Sequence, residues 1–425
     1  MAILLVIGAL GWFHGCGDQK VSGGPSRNQP ALSKPSGRGF FSSLFHGRKK
    51  NDALGQKIVI AAAGDIMLHR RALRSTAQKS KGAANNQGYD EMFPGVAEAL
   101  QGSDLRLGNL EFPVFPGNRI SDVAIFYGTP PALYALKKAG FTVLSAANNH
   151  AYDQGQTSPA STARECGKAK VVCLGVGENR ETAARFHLAE LKGVRLAIVA
   201  YTLILNSGLN QTRPDAPHVN GTRFADLLEQ VRSAAEVSDG VVVSLHWGEE
   251  NLTLPLNWQR DLARELVAAG AALILGHHSH VLGPIEPLLA PDGRRALAAY
   301  SLGNFVSSQG TGSPEDLNRL GVILKVTLLR TRRGLEVESW GSLPTWIQNR
   351  NTRFEGELVE DIHVEVVPQI LRDLEQKKTG AENERRMLLL EQMIAFYRGR
   401  AGEAQKLLGQ PKGQLDLSGK TPLGK

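Results

Sequence analysis

From Lys57 onward the chain alternates between short runs of aliphatic and β-branched residues and stretches with helical spacing. Such alternation specifies an α/β fold, in which helices cover sheets built from strands of this kind. The runs read as strands are 58–63, 105–107, 142–145, 171–174, 195–201, 241–245, 272–275 and 296–300. Helical spacing occupies 131–138, 224–238 and 258–269. Residues 322–329 and 335–340, joined by Arg332, Arg333 and Gly334, read as a closing hairpin. After about residue 350 the sequence becomes charged and helix-prone, with 385–397 its clearest amphipathic stretch. The expected organisation is therefore a leader (1–16), a basic linker (17–56), an α/β domain (57–350) and a helical, partly disordered extension (351–425).

The 425 residues exceed what one compact core needs, which fits a large domain with accessory segments. Of the formal charge of +8, residues 1–56 carry +5, from seven Lys or Arg against two Asp. A basic Gly/Ser/Pro-rich arm beside an apolar N-terminus suits a membrane surface better than nucleic acid, and no nucleic-acid reading motif accompanies it. The apolar run 2–13 has the length of a signal-peptide core and is too short to span a bilayer. His14, Gly15 and Cys16 follow it, and a small residue before cysteine resembles the bacterial lipobox, although Phe13 replaces its leucine and no basic residue precedes the run. Lipoprotein, ordinary or uncleaved signal, and misassigned start all remain open; each places the body outside the membrane. Cys166 and Cys173 could pair in an oxidising compartment, but Cys173 sits in an apolar run, which favours two separate thiols.

Chemistry gathers where the strands end. Gly64 and Asp65; Gly108, Asn109, Leu110 and Glu111; Asn148, Asn149 and His150; His246, Trp247 and Gly248; and Gly276, His277, His278, Ser279 and His280 each close a run. Ser301, Gly303 and Asn304 close another. In open α/β sheets, sites assemble at the carboxyl ends of strands. One strand-end histidine is usually a satisfied structural residue, but five of the eleven histidines lie at these ends. Imidazole and carboxylate together are the donor set of Zn, Mn or Fe, and two such ions about 3.5–4 Å apart can clamp both oxygens of a phosphoryl displacement. On an extended chain His278 and His280 point to one side, with His277 facing away as a structural residue.

The blocks Gly-Asp, Gly-Asn-Leu-Glu, Asn-Asn-His-x-x-Asp-x-Gly, His-Trp-Gly-x-Glu, Gly-x-His-x-His and Ser-Leu-Gly-Asn-Phe occur in order over about 57–330. In this the chain resembles the CapA-type poly-gamma-glutamate capsule synthesis proteins, which are similar to the calcineurin-like metallophosphoesterases. The resemblance implies layered β-sheets flanked by helices, and one or two divalent transition-metal ions. It implies Asp65 on a first ion, Glu111 bridging, Asn149, His246 and His278 on a second, and His280 returning to the first. His150 corresponds to a proton donor or oxyanion stabiliser, oriented by Asp153. Arg70, Glu250 and Asn304 fall at substrate-facing positions, Glu250 being preferred to Glu249 by family spacing, and Trp247 is expected to wall the pocket.

Departures from the phosphoesterase pattern leave the ion count open. Met67 stands where a ligand histidine is usual, and Glu111 closes the block in which an aspartate is expected. His69, four residues after Asp65, is read as a surface residue rather than a replacement ligand. Two functions follow: an extracytoplasmic, membrane-anchored metal-dependent hydrolase or transferase in capsule biosynthesis, or a non-catalytic subunit holding an anionic polymer such as poly-gamma-glutamate. Other capsule synthesis membrane subunits are the expected protein partners. A serine or cysteine nucleophile is disfavoured, since no Gly-x-Ser-x-Gly turn occurs and Cys166 has no base nearby in sequence.

Overall fold

The strand runs pair into two large sheets and a short ribbon. A computed structural model describes residues 53–80, 86–117, 119, 124–211, 215–309, 317–354, 357–367 and 414–415. The expected leader and nearly all of the basic linker, and the amphipathic stretch 385–397, lie outside the described residues. In chain order the strands are β1 (Lys57–Ile66), β2 (Leu105–Leu110), β3 (Val143–Ser145), β4 (Val172–Leu174), β5 (Val176–Gly177), β6 (His187–Leu191), β7 (Val194–Thr202) and β8 (His218–Val219). They continue as β9 (Gly240–His246), β10 (Ala271–His277), β11 (Ile285–Leu289), β12 (Arg295–Ala299), β13 (Asn304–Val306), β14 (Leu320–Thr331), β15 (Gly334–Phe354), β16 (Glu357–Val366) and β17 (Gln414–Leu415).

The first sheet runs β16-β15-β14-β1-β2-β3-β4, with β13 beside the end of β1 and β17 beside β15. Its β1 to β4 are parallel, and β14 to β16 form an antiparallel wing. The second sheet runs β11-β12-β10-β9-β7-β6, parallel at β12, β10, β9 and β7 and antiparallel at both edges. Strands β5 and β8 make the ribbon.

Period-two alternation explains how the layers stack. In β7, Leu196, Ile198 and Ala200 join Ile60 and Ala62 of β1 and Leu273 and Leu275 of β10 in one core. The alternate residues Ala197, Val199 and Tyr201 face a second core built with Leu227, Val231, Leu262 and Leu266. Those four leave the helices Phe224–Val237 and Asn257–Ala269 at helical spacing, and burying each Leu or Val fully is worth about 1.5–3 kcal/mol. The second of these helices stops at Gly270, whose φ of 123° suits glycine alone. The helix Ser158–Ala169 packs on β4 and β5, and the helix Arg70–Lys79 packs on β16. No helix among the described residues is long and apolar enough to cross a membrane.

Two expectations change. Cys166 and Cys173 form a disulfide, with Cα atoms 6.0 Å apart, tying the end of the helix Ser158–Ala169 to β4. The turn at Lys170, with φ of 55°, brings the two cysteines together in a way a strand reading of Cys173 alone does not reveal. The antiparallel wing also extends past residue 350: β15 continues to Phe354 and β16 covers Glu357–Val366 where a helical segment was expected. There the buried Ile362, Val364 and Val366 alternate with the polar Asp361, His363 and Glu365, a period of two rather than 3.6.

Polar contacts fasten the helix Arg70–Lys79 to β16. Lys79 Nζ lies 2.6 Å from Asp361 Oδ1, Arg71 Nε lies 3.2 Å from Glu360 Oε1, and the Ile362 N–H donates to Ser75 Oγ at 3.2 Å. His363 reaches Asp361 at 2.8 Å and Glu365 at 3.4 Å. Burial disfavours the charged imidazole, but the bonds to Asp361 and Glu365 outweigh it and raise His363 above the usual range. Burial likewise opposes the Asp361 carboxylate, which His363 and Lys79 hold well below the usual range.

Because the folded His363 binds its proton more tightly than the unfolded chain does, its stabilisation is complete below the unfolded pKa of about 6.5 and is lost as pH rises through the folded value. The urea-unfolding difference between the native chain and His363→Gln should therefore be largest near about pH 6 and shrink by about pH 9; a constant difference contradicts the ion cluster. The Cys166–Cys173 bridge closes a short loop, so Cys166→Ser, compared in urea with the oxidised chain, should lose about 2–3 kcal/mol.

Candidate metal centre

Close backbone approaches set the floor of the site. A Cβ on Gly64 would collide with the carbonyl of Gly303, and one on Gly276 with that of Tyr300. These glycines directly precede Asp65 and His277, so the ends of β1 and β10 are both pressed against the segment linking β12 to β13. The Asp65 N–H donates to Gly303 O at 3.0 Å, and the Leu302 N–H to Gly276 O at 3.1 Å. One short connection thus joins the carboxyl ends of strands from two different sheets.

Onto this floor project Asp65 and Glu111, both at 0% exposure. Asn109 bridges them: its Nδ2 donates to Asp65 Oδ1 at 2.8 Å and to Glu111 Oε2 at 3.0 Å. His277 Nδ1 lies 3.0 Å from Asp65 Oδ1, and the His278 N–H donates to Asp65 Oδ2 at 3.2 Å. His280 Nδ1 sits 3.2 Å from Asp65 Oδ2 and 3.0 Å from Asn304 Oδ1, both acceptors, so this nitrogen carries hydrogen and leaves Nε2 facing Glu111 Oε1 at 3.7 Å. On the other side His246 Nε2 is 2.9 Å from Asn149 Oδ1 and 4.0 Å from Glu111 Oε1. The His246 and His278 rings are 4.7 Å apart by centroid.

The electrostatics follow from crowding charge without water. Burial raises the Asp65 carboxyl, but bonds from His277 and His280 more than reverse this and hold it well below the usual range. Glu111 is pushed well up, first by burial and then by the Asp65 charge. Burial and neighbouring imidazoles keep His246 far below its usual value and His278 down at about 4. Burial opposes the charged form of His280 too, yet Glu111 and Asp65 lift it to about 9. His246 and His278 are therefore neutral at pH 7 with lone pairs available.

Two overlapping donor sets result, each with atoms inside 4.8 Å: Asp65, Glu111 and His280, and Glu250, His278 and His280. Glu111 Oε1 and His278 Nδ1 are buried without any hydrogen-bond partner. Orphaned donors of these types beside two carboxylates are what a divalent ion satisfies, and the mix of imidazole and carboxylate fits Mn, Zn or Fe. The residues present fit the divalent ion that the resemblance implies. His278 and His280 have φ of 93° and 58°, so this stretch is not the extended chain expected; β10 ends at His277, and the left-handed turns beyond it aim the rings. Such backbone is costly for a residue with a Cβ and is concentrated at functional sites.

His150 stands beside this cluster. Its Nδ1 is 2.8 Å from Asp153 Oδ2, which also accepts the Phe126 N–H at 2.7 Å, and its ring stacks on Phe126 at 4.0 Å. Asp153 therefore fixes Nδ1 as the donor and leaves Nε2 as the reactive edge. Arg70 is exposed at the first turn of the helix Arg70–Lys79, and Glu250 is exposed at the rim.

Other residues take parts the sequence did not suggest. His69 is buried rather than superficial: Nδ1 accepts the Ser308 N–H at 3.3 Å, and its ring meets the far face of Phe126 at 4.4 Å. Burial and the charges of His150 and His280 press it down to about 3. Asn304 is fully buried with Oδ1 on His280 and Nδ2 on Gln309 and Asn318, so it orients a histidine instead of facing substrate. Trp247 is a core residue, fully buried and stacked on Tyr300, not a pocket wall. His277, placed away from the site by the extended-chain reading, grips Asp65. Asn109, Phe126 and Asn206, the last accepting from Asn149 Nδ2 at 3.3 Å, had no assigned role. For Asn109 a signal existed, since on β2 it shares a face with Glu111 two residues on.

The family model described as "Bacterial capsule synthesis protein PGA_cap" matches residues 59–309. The chain is 33% identical over 270 residues to "Capsule biosynthesis protein CapA" of Bacillus anthracis, covering 61% of this chain and 62% of that one. It is 34% identical over 251 residues to "PGA biosynthesis protein CapA" of Bacillus subtilis (strain 168), covering 58% and 62% respectively. The match thus spans 62% of the length of each relative. Among solved structures, the calcineurin-like phosphoesterase YfkN from Bacillus subtilis superposes over 68% of this chain and 90% of its own, with 13% identity and a TM-score of 0.41.

If Asn304 acts by holding His280, Asn304→Ala should weaken Mn or Zn binding by about 10–100-fold in calorimetric titration while leaving the circular dichroism spectrum intact. Unchanged affinity would remove Asn304 from the centre.

Proposed function

The chain belongs to the bacterial capsule synthesis protein family, and from that membership we propose that it is a metal-dependent hydrolase or transferase acting on an anionic capsule polymer, such as poly-gamma-glutamate, or on its phosphorylated precursor. The observation that carries this reading is the pair of overlapping donor sets sharing His280, with His150 and its Asp153 partner alongside. When bound, a divalent ion supplies Lewis acidity to a phosphoryl or acyl oxygen. Asp65, Glu111, His246, His278, His280 and the amide oxygen of Asn149 would hold one or two such ions, with Glu250 reaching in from the rim.

The chain's own groups account for the rest. His150, its Nδ1 tied to Asp153, presents Nε2 to a leaving oxygen or nitrogen and can deliver a proton there. Phe126 covers one face of that imidazole and keeps water from it. Arg70, exposed and five residues after Asp65 in sequence, would offer a guanidinium to a carboxylate or phosphate of an extended substrate.

An extracytoplasmic, membrane-anchored location completes the proposal, along with contacts to other capsule synthesis membrane subunits. It is supported by the apolar run 2–13 followed by Cys16, by the basic arm, and by the Cys166–Cys173 disulfide, since disulfides persist in oxidising compartments. A second reading, a polymer-holding subunit without turnover, is favoured by one feature: Met67, buried beside Asp65, supplies no donor where a histidine is usual.

Metal analysis and turnover of the full chain on a chromogenic phosphodiester and on a γ-glutamyl peptide separate the two. The double variant His278→Ala/His280→Ala should lose its metal and more than about 100-fold of its activity. His150→Asn should keep its metal and lose about 100- to 10,000-fold in kcat. Stoichiometric metal with no turnover on either probe would select the polymer-holding subunit.

A further inference from the structure

The helix-covered face of β7 carries a cavity, of about 90 Å³, between the helix Phe224–Val237, the short helix Arg180–Ala183 and the ribbon β5–β8. That volume admits several waters or one small molecule. Its polar lining is Arg180, Tyr201, His218, Asn220, Asp226 and Gln230. Most of these donors are committed elsewhere. The Tyr201 hydroxyl donates to Arg223 O at 2.8 Å, Asn220 Nδ2 donates to Ala200 O and to Gln230 Oε1, and Gln230 Nε2 donates to Ala184 O.

Three groups stand out. His218 is only 7% exposed, and its Nδ1 is buried with no hydrogen-bond partner. Arg180 Nη2 and Asp226 Oδ2 pair at 2.9 Å, with 57% and 33% of their side chains exposed, so this pair borders both cavity and solvent. Thr222, beside the cavity wall, is held at a φ of 84°, a rare conformation for a β-branched residue, with its N–H on Thr202 O at 2.8 Å.

A cation and an anion side by side at a small polar cavity that is also lined by an imidazole with an unpartnered Nδ1 complement a ligand with the opposite charges at the same spacing. We propose that this cavity binds the zwitterionic headgroup of a small amino acid, its carboxylate on Arg180 and its ammonium shared between Asp226 and His218. Inserting a zwitterion replaces the Arg180–Asp226 pair by two new pairs, leaves Arg223 Nε at 3.8 Å from Asp226 Oδ1, and buries no net charge, which avoids the penalty a lone anion or cation would meet. Burial and the nearby Arg180 charge keep His218 below its usual range, consistent with an imidazole that accepts a hydrogen from ammonium. The cavity shares no residue with the metal centre, and the proposal does not rest on the catalytic reading.

The test uses the full chain and three minimal probes followed by calorimetry and amide chemical shifts: glycine, acetate, which lacks the ammonium, and methylamine, which lacks the carboxylate. Glycine should bind with a millimolar Kd and shift the amides of His218 and Gly221, with acetate and methylamine each weaker by at least about tenfold. Asp226→Asn and Arg180→Gln, both partly exposed and outside the metal centre, should each cost glycine binding at least about tenfold while metal content stays constant. Failure of glycine to saturate, acetate or methylamine binding as well as glycine, or glycine binding unaltered in both variants would each overturn the proposal.

Discussion

Two carboxylates of like charge, buried completely and bridged by one amide, set the terms for the rest of this molecule. Asp65 and Glu111 cannot both ionise in such a place without help. The surrounding groups divide the burden unequally: His277, His280 and the His278 N–H attend to Asp65, while Glu111 keeps one oxygen unpartnered. This is a poor arrangement for stability and a good one for receiving a divalent cation, which would neutralise both and satisfy the orphaned atoms. The left-handed backbone at His278 and His280 belongs to the same bargain, being unfavourable locally and useful only for where it sends the rings.

The strand ends were legible because two independent patterns coincide there: aliphatic runs of strand length, and polar clusters just beyond them. That coincidence marked out the strand-end clusters, from which the resemblance singled out Asp65, Glu111, Asn149, His246, His278 and His280; in the structure Asp65, Glu111 and His280 lie together, with His246 between Glu111 and Asn149 and its ring 4.7 Å from that of His278. What failed to show in the sequence depends on neighbours far along the chain. His69 looks superficial until Ser308 and Phe126 enclose it, and Asn304 looks available until His280 and Asn318 occupy its amide. Trp247 follows His246 directly in sequence, but its ring is buried and stacked on Tyr300. The strand β16 was hidden by its charges: Asp361, His363 and Glu365 raise the polarity of a segment whose alternate residues are fully apolar.

The helix that follows the Asp65 block has two attachments of different character. At its start it emerges from the floor of the metal centre; along its length it is held by ion pairs and hydrogen bonds to β16. Arg70 lies at the junction. The antiparallel wing of the first sheet, which begins after the last donor residue, thereby helps fix the helix on which Arg70 stands.

The donors come from the ends of β1, β2, β9 and β10 and the loops that follow β3 and β10, and the supporting carbonyls and amide come from Gly303 and Asn304, the latter at the start of β13. The set is spread over some 240 residues of chain, from Asp65 to Asn304. A chain truncated before Gly303 would lack both the carbonyl that accepts from the Asp65 N–H and the Asn304 amide oxygen that holds His280. A divalent ion held by these residues would therefore report on assembly, since its retention would need the segment from Gly303 onward in place beside β1 and β10.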